Sequence, residues 1–552
     1  MMTIVAALLS GLLWLGGTGL HPVAALTWLA PIPLLLASLR VGPRTALGAT
    51  ILAWSIGQLA MVGYYLDTLR LPVAGVAGVL GLGLGLAGGT VLLAREVLLR
   101  GRTVTAVLSV PSLWVLGEYA ASHLFPHGAW WSLAYTQADV RPVIQVTALT
   151  GVWGVTYLLL AVPIALAALL GGARPTRGGR LDSPGPALAC RLDSPRPAPA
   201  CRLDSPRPAL ACLLALLVGV GTWSAWSLNR SPELAAPLTV GLVALRQPED
   251  GLPIDEPVGR DLLARYGARV AGLVDRGARV VVLPEKVFAV TDTTLPLLVD
   301  ALRQSGAQVV VGAVLRRAGT ASNVALVLDP SGAITTYDKQ HLIPGLEEWL
   351  TPGDDEVIVQ GRFGVAICKD LDYPDLVRRY RAAGASVLLV PALDFTSDGW
   401  LHSRIALVRG VENGLTVVRA AVSGRLTVSD AGGRLWGEDR AGDAELLVAS
   451  APTRGLGTVY SRTGDWFPLL SVALLVVAVG GVRRRSATSG SSGRTRPRRP
   501  ADQGATHPLV WARTVGRSRI VYDALGHDAR SYESPGHVEL LRRITAWLRH
   551  ES

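Results

Sequence analysis

Residues 364–373 read GVAICKDLDY, a short apolar run that ends at Cys368 and is followed at once by a lysine and two acids. An apolar run of this length next to polar residues predicts a buried strand. A free cysteine in such a run is often a small buried hydrophobe. At the tip of a strand it is also in the position of a nucleophile. The residues around this stretch decide between the two interpretations.

Strand and helix patterns alternate on both sides of this stretch. Runs rich in branched apolar residues predict strands at 238–246, 278–285, 307–315, 322–332, 333–339, 363–368 and 385–392. Apolar residues spaced three and four apart predict helices at 261–277, 295–306, 376–384 and 403–414. The pattern is typical of a layered α/β domain with a mixed sheet, which we assign to residues 233–462.

Three polar residues stand where predicted strands end. Glu285 follows VVVLP, Lys339 follows TTYD and Cys368 follows GVAI. If these strand ends converge at one edge of the sheet, the three side chains are sufficient for acyl transfer. The thiol is the nucleophile, the carboxylate takes its proton, and the ammonium stabilises the oxyanion. With these two partners we favour the nucleophile interpretation of Cys368.

The composition indicates a membrane protein. Half of the 552 residues are hydrophobic and only 17% are charged, which excludes an ordinary soluble domain. Eight apolar stretches have the roughly 20 residues that a spanning helix needs. They are 3–20, 22–39, 46–66, 71–94, 103–120, 146–170, 209–228 and 466–482. Arginines cluster after the even-numbered stretches, which predicts cytoplasmic termini and an α/β domain on the outer face of a multi-pass cell-membrane protein.

A repeat and a tail complete the domain plan. The units RLDSPGPALAC, RLDSPRPAPAC and RLDSPRPALAC fill residues 180–212, and their prolines predict a flexible cytoplasmic loop. The membrane domain is then 1–232 with seven spans, and the eighth span is 463–485. A basic Ser/Gly/Pro-rich linker at 486–505 is predicted to be disordered, and 506–552 form a small C-terminal segment.

Charge and cysteine content exclude several function classes. The net charge is +11, but the arginines lie beside apolar runs and in the tail, so we expect contact with lipid and no binding of nucleic acid. Three of the four cysteines recur every eleven residues in the repeat, which leaves Cys368 alone and predicts no disulfide framework. No histidine cluster, CxxC pair or glycine-rich phosphate loop is present, so no metal, nucleotide or organic cofactor is expected.

Several motifs resemble those of one known family. LPEKVFA (283–289), FGVAICKDLDYPDL (363–376) and RGVENGLTVVRAAVSG (409–424) are similar to successive motifs of the nitrilase, or carbon-nitrogen hydrolase, superfamily. The segment from LWVLGEYA (113–120) to Leu159, and YSRTGDWFPLL (460–470), resemble the membrane part of bacterial apolipoprotein N-acyltransferases. The resemblance implies eight spans and an α-β-β-α sandwich placed before the last span, on the outer face of the membrane.

The resemblance also implies roles for individual residues. Glu285 matches the general base of the family, Lys339 its catalytic lysine and Cys368 its nucleophile. Glu347, in HLIPGLEEWL, matches a glutamate that assists the lysine, although the alternative of a solvated loop acid stays open. The implied reaction takes an acyl chain from a membrane phospholipid and gives it, through a cysteine thioester, to the S-diacylglyceryl-cysteine of a lipoprotein. A membrane-anchored amidase and an inactive outer-face scaffold are the alternatives.

Some positions depart from the family pattern or have an open role. Lys369 and Asp370 stand where the family has tyrosine and glutamate, and a second ammonium beside the thiol is expected to lower its pKa. We include both with Trp349, which stands where the family has tyrosine, as supporting or substrate-binding residues. Glu118, at the end of an apolar run, is either an interface residue or a contact for a lipid headgroup. The last 45 or so residues resemble the C-terminal end of the ThuA-like fold and are assigned no activity.

Overall fold

The computed structural model describes residues 1–172, 206–230, 237–248, 250–440, 442–453, 455–490, 510–515, 518–523 and 534–549. The chain divides into two compact units, Met1–Arg483 and Arg484–Ser552. Most of the predicted repeat loop and of the predicted basic linker lies outside the described residues, so the disorder expected of each stays a prediction there.

Apolar helices form the N-terminal part of the first unit. They are α1 (Met2–Gly17), α2 (Ala24–Leu29), α3 (Pro31–Ser38), α4 (Pro43–Gly63), α5 (Val73–Leu99), α6 (Thr103–Ser109), α7 (Pro111–Leu124), α8 (Arg141–Ile144), α9 (Thr147–Thr150), α10 (Val152–Gly172) and α11 (Arg207–Asn229). Pro31 and Pro111 begin new helices within predicted spans, because proline interrupts the helical hydrogen bonds behind it but fits the first turn. Helix α1 packs closely on α4, where a Cβ on Gly57 would lie 2.6 Å from the Cβ of Trp14.

Within the described residues, five helical segments are long and apolar enough to cross a membrane. They are Pro43–Thr68, Val73–Leu99, Thr103–Leu124, Val152–Gly171 and Arg207–Asn229. Three shorter apolar segments, Met2–Gly17, Ala24–Ser38 and Trp466–Gly480, fall where the remaining spans were expected. The expectation of several apolar helices is thus met, whereas the number of spans stays a prediction.

Two predicted loop boundaries were wrong. Helix α11 begins at Arg207, inside the third repeat unit, although we expected a loop as far as residue 212. Proline in the first turn of a helix costs no hydrogen bond, and the apolar end of the unit continues into the span. Likewise, the helix that contains the last predicted span runs Trp466–Gly490, so the first five residues of the predicted disordered linker are helical.

The α/β domain alternates strands and helices as the sequence pattern indicated. The strands are β1 (Leu238–Ala244), β2 (Leu252–Pro253), β3 (Val280–Val282), β4 (Phe288–Thr291), β5 (Gln308–Arg317), β6 (Thr320–Leu328), β7 (Ile334–Asp338), β8 (Val357–Val359), β9 (Phe363–Val365), β10 (Val387–Leu393), β11 (Thr416–Val422), β12 (Arg425–Ser429), β13 (Leu435–Arg440) and β14 (Ala444–Ala451). The helices are α12 (Pro257–Asp275), α13 (Leu295–Leu302), α14 (Pro374–Ala382), α15 (Gly399–Asn413) and α16 (Val459–Thr463). Helix α17 (Trp466–Gly490) follows the domain and contains the last predicted span.

These strands form two sheets and not the one mixed sheet that the pattern predicted. The first sheet has the order β14-β1-β3-β5-β4-β2, with β6 on the free edge of β5 and β7 beyond it. The second has the order β13-β12-β11-β10-β9-β8. Both sheets contain parallel and antiparallel pairs: β1 with β3 and β5 with β6 in the first, and β10 with β11 and β11 with β12 in the second.

The two sheets pack face to face, with helices on their outer faces. Val280 and Val282 of β3 lie in the core shared with the second sheet, whereas Val281 lies in the core beneath α12 and α13. Strands buried on both faces read as continuous apolar runs, which explains why VVVLP gave no alternation. The layers are those of the nitrilase-type α/β fold that the resemblance implied.

Helices of the N-terminal part are joined to the α/β domain by buried polar contacts. The hydroxyl of Tyr64 donates to Asp398 Oδ2 at 2.6 Å. The backbone N–H of Val152, at the start of α10, donates to Glu412 Oε1 at 2.7 Å, and Glu412 forms an ion pair with Arg409. Buried charges are costly unless they are paired, so these contacts specify how the two parts dock.

The second unit contains an antiparallel hairpin and a helix in its described residues. The hairpin is β15 (Val510–Val515) and β16 (Ser518–Asp523), and the helix is α18 (Pro535–Leu548). The ThuA-like resemblance of this segment stays a prediction.

Candidate active site

Cys368 lies just beyond β9, at the first position of a single 3₁₀ turn, Cys368–Asp372. Its backbone has a φ of +40°, a left-handed conformation that is strained for a residue with a side chain. The thiol is 6% exposed and donates weakly to the carbonyl oxygen of Leu393 at 3.5 Å. The sharp turn thus holds the thiol at the strand tip against the end of β10.

Glu285, Lys339 and Glu347 form a buried ionic cluster. Lys339 Nζ lies 2.8 Å from Glu285 Oε1 and 2.8 Å from Glu347 Oε2. The three side chains are at most 1% exposed. The amide nitrogen of Asn323 donates to both carboxylates, at 2.6 Å and 2.9 Å, and Lys286 Nζ lies 3.3 Å from Glu347 Oε1. Glu347 is therefore not a solvated loop acid.

The cluster and the thiol interact electrostatically. Burial lowers the pKa of the Lys339 amine, but the carboxylates of Glu285 and Glu347 outweigh it and raise that pKa above its ordinary value. Burial opposes ionisation of Glu347, yet Lys339 and Lys286 lower its pKa to about 2. Burial and the charge of Glu285 raise the pKa of Cys368 well above that of a free thiol. At neutral pH the resting site therefore holds a protonated thiol beside a charged cluster.

The geometry by which these residues meet differs from the predicted one. Glu285 and Lys339 follow β3 and β7 of the first sheet, whereas Cys368 follows β9 of the second. The three side chains therefore converge across the interface of the two sheets, and not along one sheet edge. A single mixed sheet was predicted because a sequence pattern carries no information on how strands are divided between sheets.

Asp370 holds the Cys368–Asp372 turn in place. Its buried carboxylate accepts hydrogen bonds from the hydroxyl of Tyr337 at 2.7 Å and from the backbone N–H of Ile367 at 3.0 Å. The backbone N–H of His341 donates to it at 2.9 Å, and His341 Nδ1 lies 3.0 Å away. Asp370 thus ties the residue before Cys368 to the loop that follows Lys339, and it is a positioning residue.

Lys369 connects the Cys368–Asp372 turn to the loop that follows α7. Its Nζ lies 3.4 Å from His127 Nδ1 and 3.9 Å from Asp372 Oδ2, and the side chain is 6% exposed. The backbone N–H of Ala129 donates to the carbonyl oxygen of Asp372 at 2.8 Å. Burial and the charge of Lys369 lower the pKa of His127 to about 4. The pKa of the Cys368 thiol is raised and not lowered, because burial, Glu285 and Asp394 outweigh the neighbouring positive charges, and the effect expected of Lys369 itself stays a prediction.

Glu118 and Trp349 lie apart from this cluster. The Glu118 carboxylate is buried and accepts hydrogen bonds from the Trp114 indole at 3.0 Å, the Ser132 hydroxyl at 2.7 Å and the Thr156 hydroxyl at 2.8 Å. It braces helices α7 and α10, which leaves it closed to a lipid headgroup. Trp349 is 50% exposed in the loop after Glu347, so its predicted contact with substrate stays a prediction.

Sequence reasoning missed an ion pair next to the thiol. Asp394 Oδ1 lies 4.0 Å from Cys368 Sγ, and both of its carboxylate oxygens are bound by the guanidinium of Arg419, which is 1% exposed. Asp394 directly follows the apolar strand β10, as Glu285 follows β3, so the rule that selected Glu285 also applies to it. Arg419 lies inside a strand and gave no such signal.

Comparison with known proteins agrees with the two-part architecture. Residues 10–165 match the apolipoprotein N-acyltransferase N-terminal domain, and residues 242–439 match the carbon-nitrogen hydrolase family. The chain belongs to the apolipoprotein N-acyltransferase family. An apolipoprotein N-acyltransferase of Geobacter metallireducens is 26% identical over 535 residues, which cover 87% of this chain and 95% of that protein.

Two further proteins are similar to parts of this chain. An apolipoprotein N-acyltransferase of Rhodopseudomonas palustris is 27% identical over 429 residues, 68% of this chain and 73% of its own. The crystal structure of an amidase from Nesterenkonia sp. aligns with 42% of this chain and 94% of its own, with 22% identity and a TM-score of 0.35.

Proposed function

We propose that this protein transfers an acyl chain from a membrane phospholipid, through a thioester on Cys368, to the N-terminal S-diacylglyceryl-cysteine of lipoproteins. The observation that carries the proposal is the buried Glu285–Lys339–Glu347 cluster beside a strained cysteine, in a unit where the loop after α7 contacts the Cys368–Asp372 turn. The family membership and the names of the full-length relatives support the same reaction.

In the first half-reaction, Cys368 takes the acyl chain. Glu285 Oε2 is buried and has no hydrogen-bond partner among the described residues, so it is the acceptor for the thiol proton. The thiolate attacks the ester carbonyl of the phospholipid. Lys339 has three N–H donors and the carboxylates take two of them, so the third stabilises the oxyanion. As the tetrahedral intermediate collapses, the lysophospholipid oxygen takes the proton from Glu285 and leaves as an alcohol.

In the second half-reaction, the α-amine of the lipoprotein attacks the thioester. Glu285 takes a proton from the amine, Lys339 again stabilises the oxyanion, and the intermediate expels the thiolate. The thiolate recovers its proton from Glu285, and an amide bond has formed. The thioester preserves the acyl-transfer potential while one lipid leaves and another arrives.

The same proposal includes the topology. Eight spans, made of the five long and three shorter apolar segments, carry the α/β domain on the outer face, with both termini in the cytoplasm. Both lipid substrates then reach Cys368 sideways from the bilayer. A reporter fused after residue 230 tests this, and a cytoplasmic signal from it contradicts the orientation.

The reaction is tested with the purified full-length protein in proteoliposomes that contain phospholipid and a diacylated lipopeptide. We expect acylated Cys368 and released lysophospholipid by mass spectrometry, followed by triacylated peptide. Cys368→Ser is expected to abolish all three products. Cys212→Ser, which changes the other described cysteine, is the matched control and is expected to retain them.

The outcomes distinguish the alternatives. If Cys368 is acylated but the acyl chain is transferred only to water, the proposal of lipoprotein acylation is wrong. A membrane-anchored hydrolase of the amidase type is then the better interpretation. If Cys368→Ser keeps full activity, the cysteine is not the nucleophile.

A further inference from the structure

A cavity of about 760 Å³ lies between the end of α11 and the α/β domain. One wall is the last two turns of α11, with Trp223, Trp226 and Arg230. The opposite wall is the 430–436 turn together with Pro452 and the 456–463 segment. None of its described lining residues belongs to the candidate active site.

Hydrogen bonds between separate segments hold these walls in place. The Trp223 indole donates to the carbonyl oxygen of Gln145 at 2.7 Å, and the hydroxyl of Ser227 donates to Gln145 Oε1 at 2.8 Å. The side-chain amide of Gln145 donates in turn to the carbonyl oxygen of Gly432 at 3.1 Å. Gln145 therefore links helix α11 to the turn across the cavity, and the cavity is part of the fold.

The lining is strongly cationic. It includes Arg141, Arg230, Arg434 and Arg462, against a single acidic residue, Asp430, among the described lining residues. The Asp430 carboxylate is already occupied, because it accepts from the backbone of its own turn and from the Trp436 indole at 2.9 Å. In the described part of the chain, none of the four guanidiniums has a carboxylate within 4 Å. Among the described residues, an excess of three positive charges thus has no acidic partner.

Two of the arginines are held in place without using their hydrogen-bond donors. The Arg230 guanidinium lies over the Trp226 ring at 4.2 Å, and that of Arg434 lies over the Trp436 ring at 4.7 Å. Stacking uses the face of the guanidinium and leaves the N–H groups at its edge free. Guanidinium edges bind phosphate oxygens in pairs, so the cavity presents preformed phosphate ligands.

We propose that this cavity binds the phosphate headgroup of an anionic phospholipid. The wall formed by α11 is the end of a helix of spanning length, and tryptophan and arginine at such an end lie at the level of the headgroups. The excess positive charge favours a lipid with net negative charge over a zwitterionic one. The tryptophan rings of α11 provide an apolar surface for the glycerol backbone and the first carbons of the chains. The site is independent of the proposed acyl transfer.

The test compares lipids and variants in binding to the full-length protein in detergent. Phosphatidylglycerol, phosphatidylethanolamine and inorganic phosphate are added separately, and bound ligand is measured by native mass spectrometry together with the thermal unfolding midpoint. We expect phosphatidylglycerol to bind and to raise the midpoint, and the other two to do neither. The variant Arg434→Gln/Arg462→Gln is expected to weaken phosphatidylglycerol binding about tenfold or more.

The control variant is Arg303→Gln/Arg316→Gln, which removes two exposed arginines of the same domain outside the cavity and is expected to bind as the wild type does. Arg230→Gln alone, expected to weaken binding to a smaller extent, serves if the double variant does not fold. Equal binding by the cavity variants and the control overturns the proposal. Two other results also overturn the proposal. If phosphatidylethanolamine raises the unfolding midpoint as much as phosphatidylglycerol does, the cavity binds lipid without selecting for charge. If inorganic phosphate alone binds tightly, the cavity is a site for a free anion.

Discussion

Replacing Glu347 with glutamine tests whether this residue holds the proposed catalytic lysine. The carboxylate is fully buried, 2.8 Å from Lys339 Nζ and 3.3 Å from Lys286 Nζ. Glu347→Gln keeps the shape of the side chain but removes the negative charge, so two buried ammonium groups are left with only Glu285 to balance them. Buried charges without partners are strongly destabilising.

The magnitude follows from the shifted pKa. The folded protein lowers the pKa of Glu347 from 4.5 to about 2. Each unit corresponds to about 1.4 kcal/mol, so the charged carboxylate stabilises the folded state by roughly 3 kcal/mol. Because the pKa is lower in the folded state, this stabilisation is fully present above pH 4.5 and is lost as the pH falls toward 2. At pH 7 the variant is therefore expected to lose all of it.

The assay is thermal unfolding in detergent at pH 7, together with the rate at which phospholipid acylates Cys368. We expect a lower unfolding midpoint and an acylation rate reduced on the order of 100-fold, because Lys339 is no longer aimed by two carboxylates. Glu348→Gln is the matched control, since Glu348 is exposed and bonds only to the backbone of Gly345 in the described structure. If both variants unfold at the same temperature and acylate at the same rate, Glu347 does not position the lysine.

Three further outcomes are expected. Burial and neighbouring negative charge raise the pKa of Cys368, so little thiolate is present at neutral pH. The rate of its alkylation by iodoacetamide is therefore expected to rise about tenfold per pH unit from pH 7 to 9. A rate that reaches a plateau below pH 8 contradicts this. Asp370→Asn is expected to lower the acylation rate about 100-fold, because it loosens the Cys368–Asp372 turn. The control Asp375→Asn changes a half-exposed carboxylate and is expected to leave the rate unchanged. Tyr64→Phe removes a hydrogen bond to a buried carboxylate and is expected to cost about 2 kcal/mol in denaturant unfolding. Equal loss in Tyr65→Phe, whose hydroxyl makes no hydrogen bond in the described structure, contradicts that reasoning.

The elements of the site were accessible from local sequence. Glu285, Lys339 and Cys368 each stand where a predicted strand ends, and for Glu285 and Cys368 that strand is an apolar run that meets polar residues. Asp394 obeys the same rule and was overlooked because it lies in a stretch with no motif. The role of Asp370 was not accessible, because its partners Tyr337 and His341 lie about 30 residues away in the chain.

The sequence by itself determined that the chain carries apolar helices and a separate α/β domain, because hydrophobic periodicity and spanning length are local properties. It also determined which side chains end the strands. Only the tertiary structure decided that Glu285 and Lys339 belong to one sheet and Cys368 to the other, and that Lys369 meets His127 of the membrane part. Those contacts depend on how buried faces pack against each other, and many arrangements of packed faces are compatible with one apolar pattern.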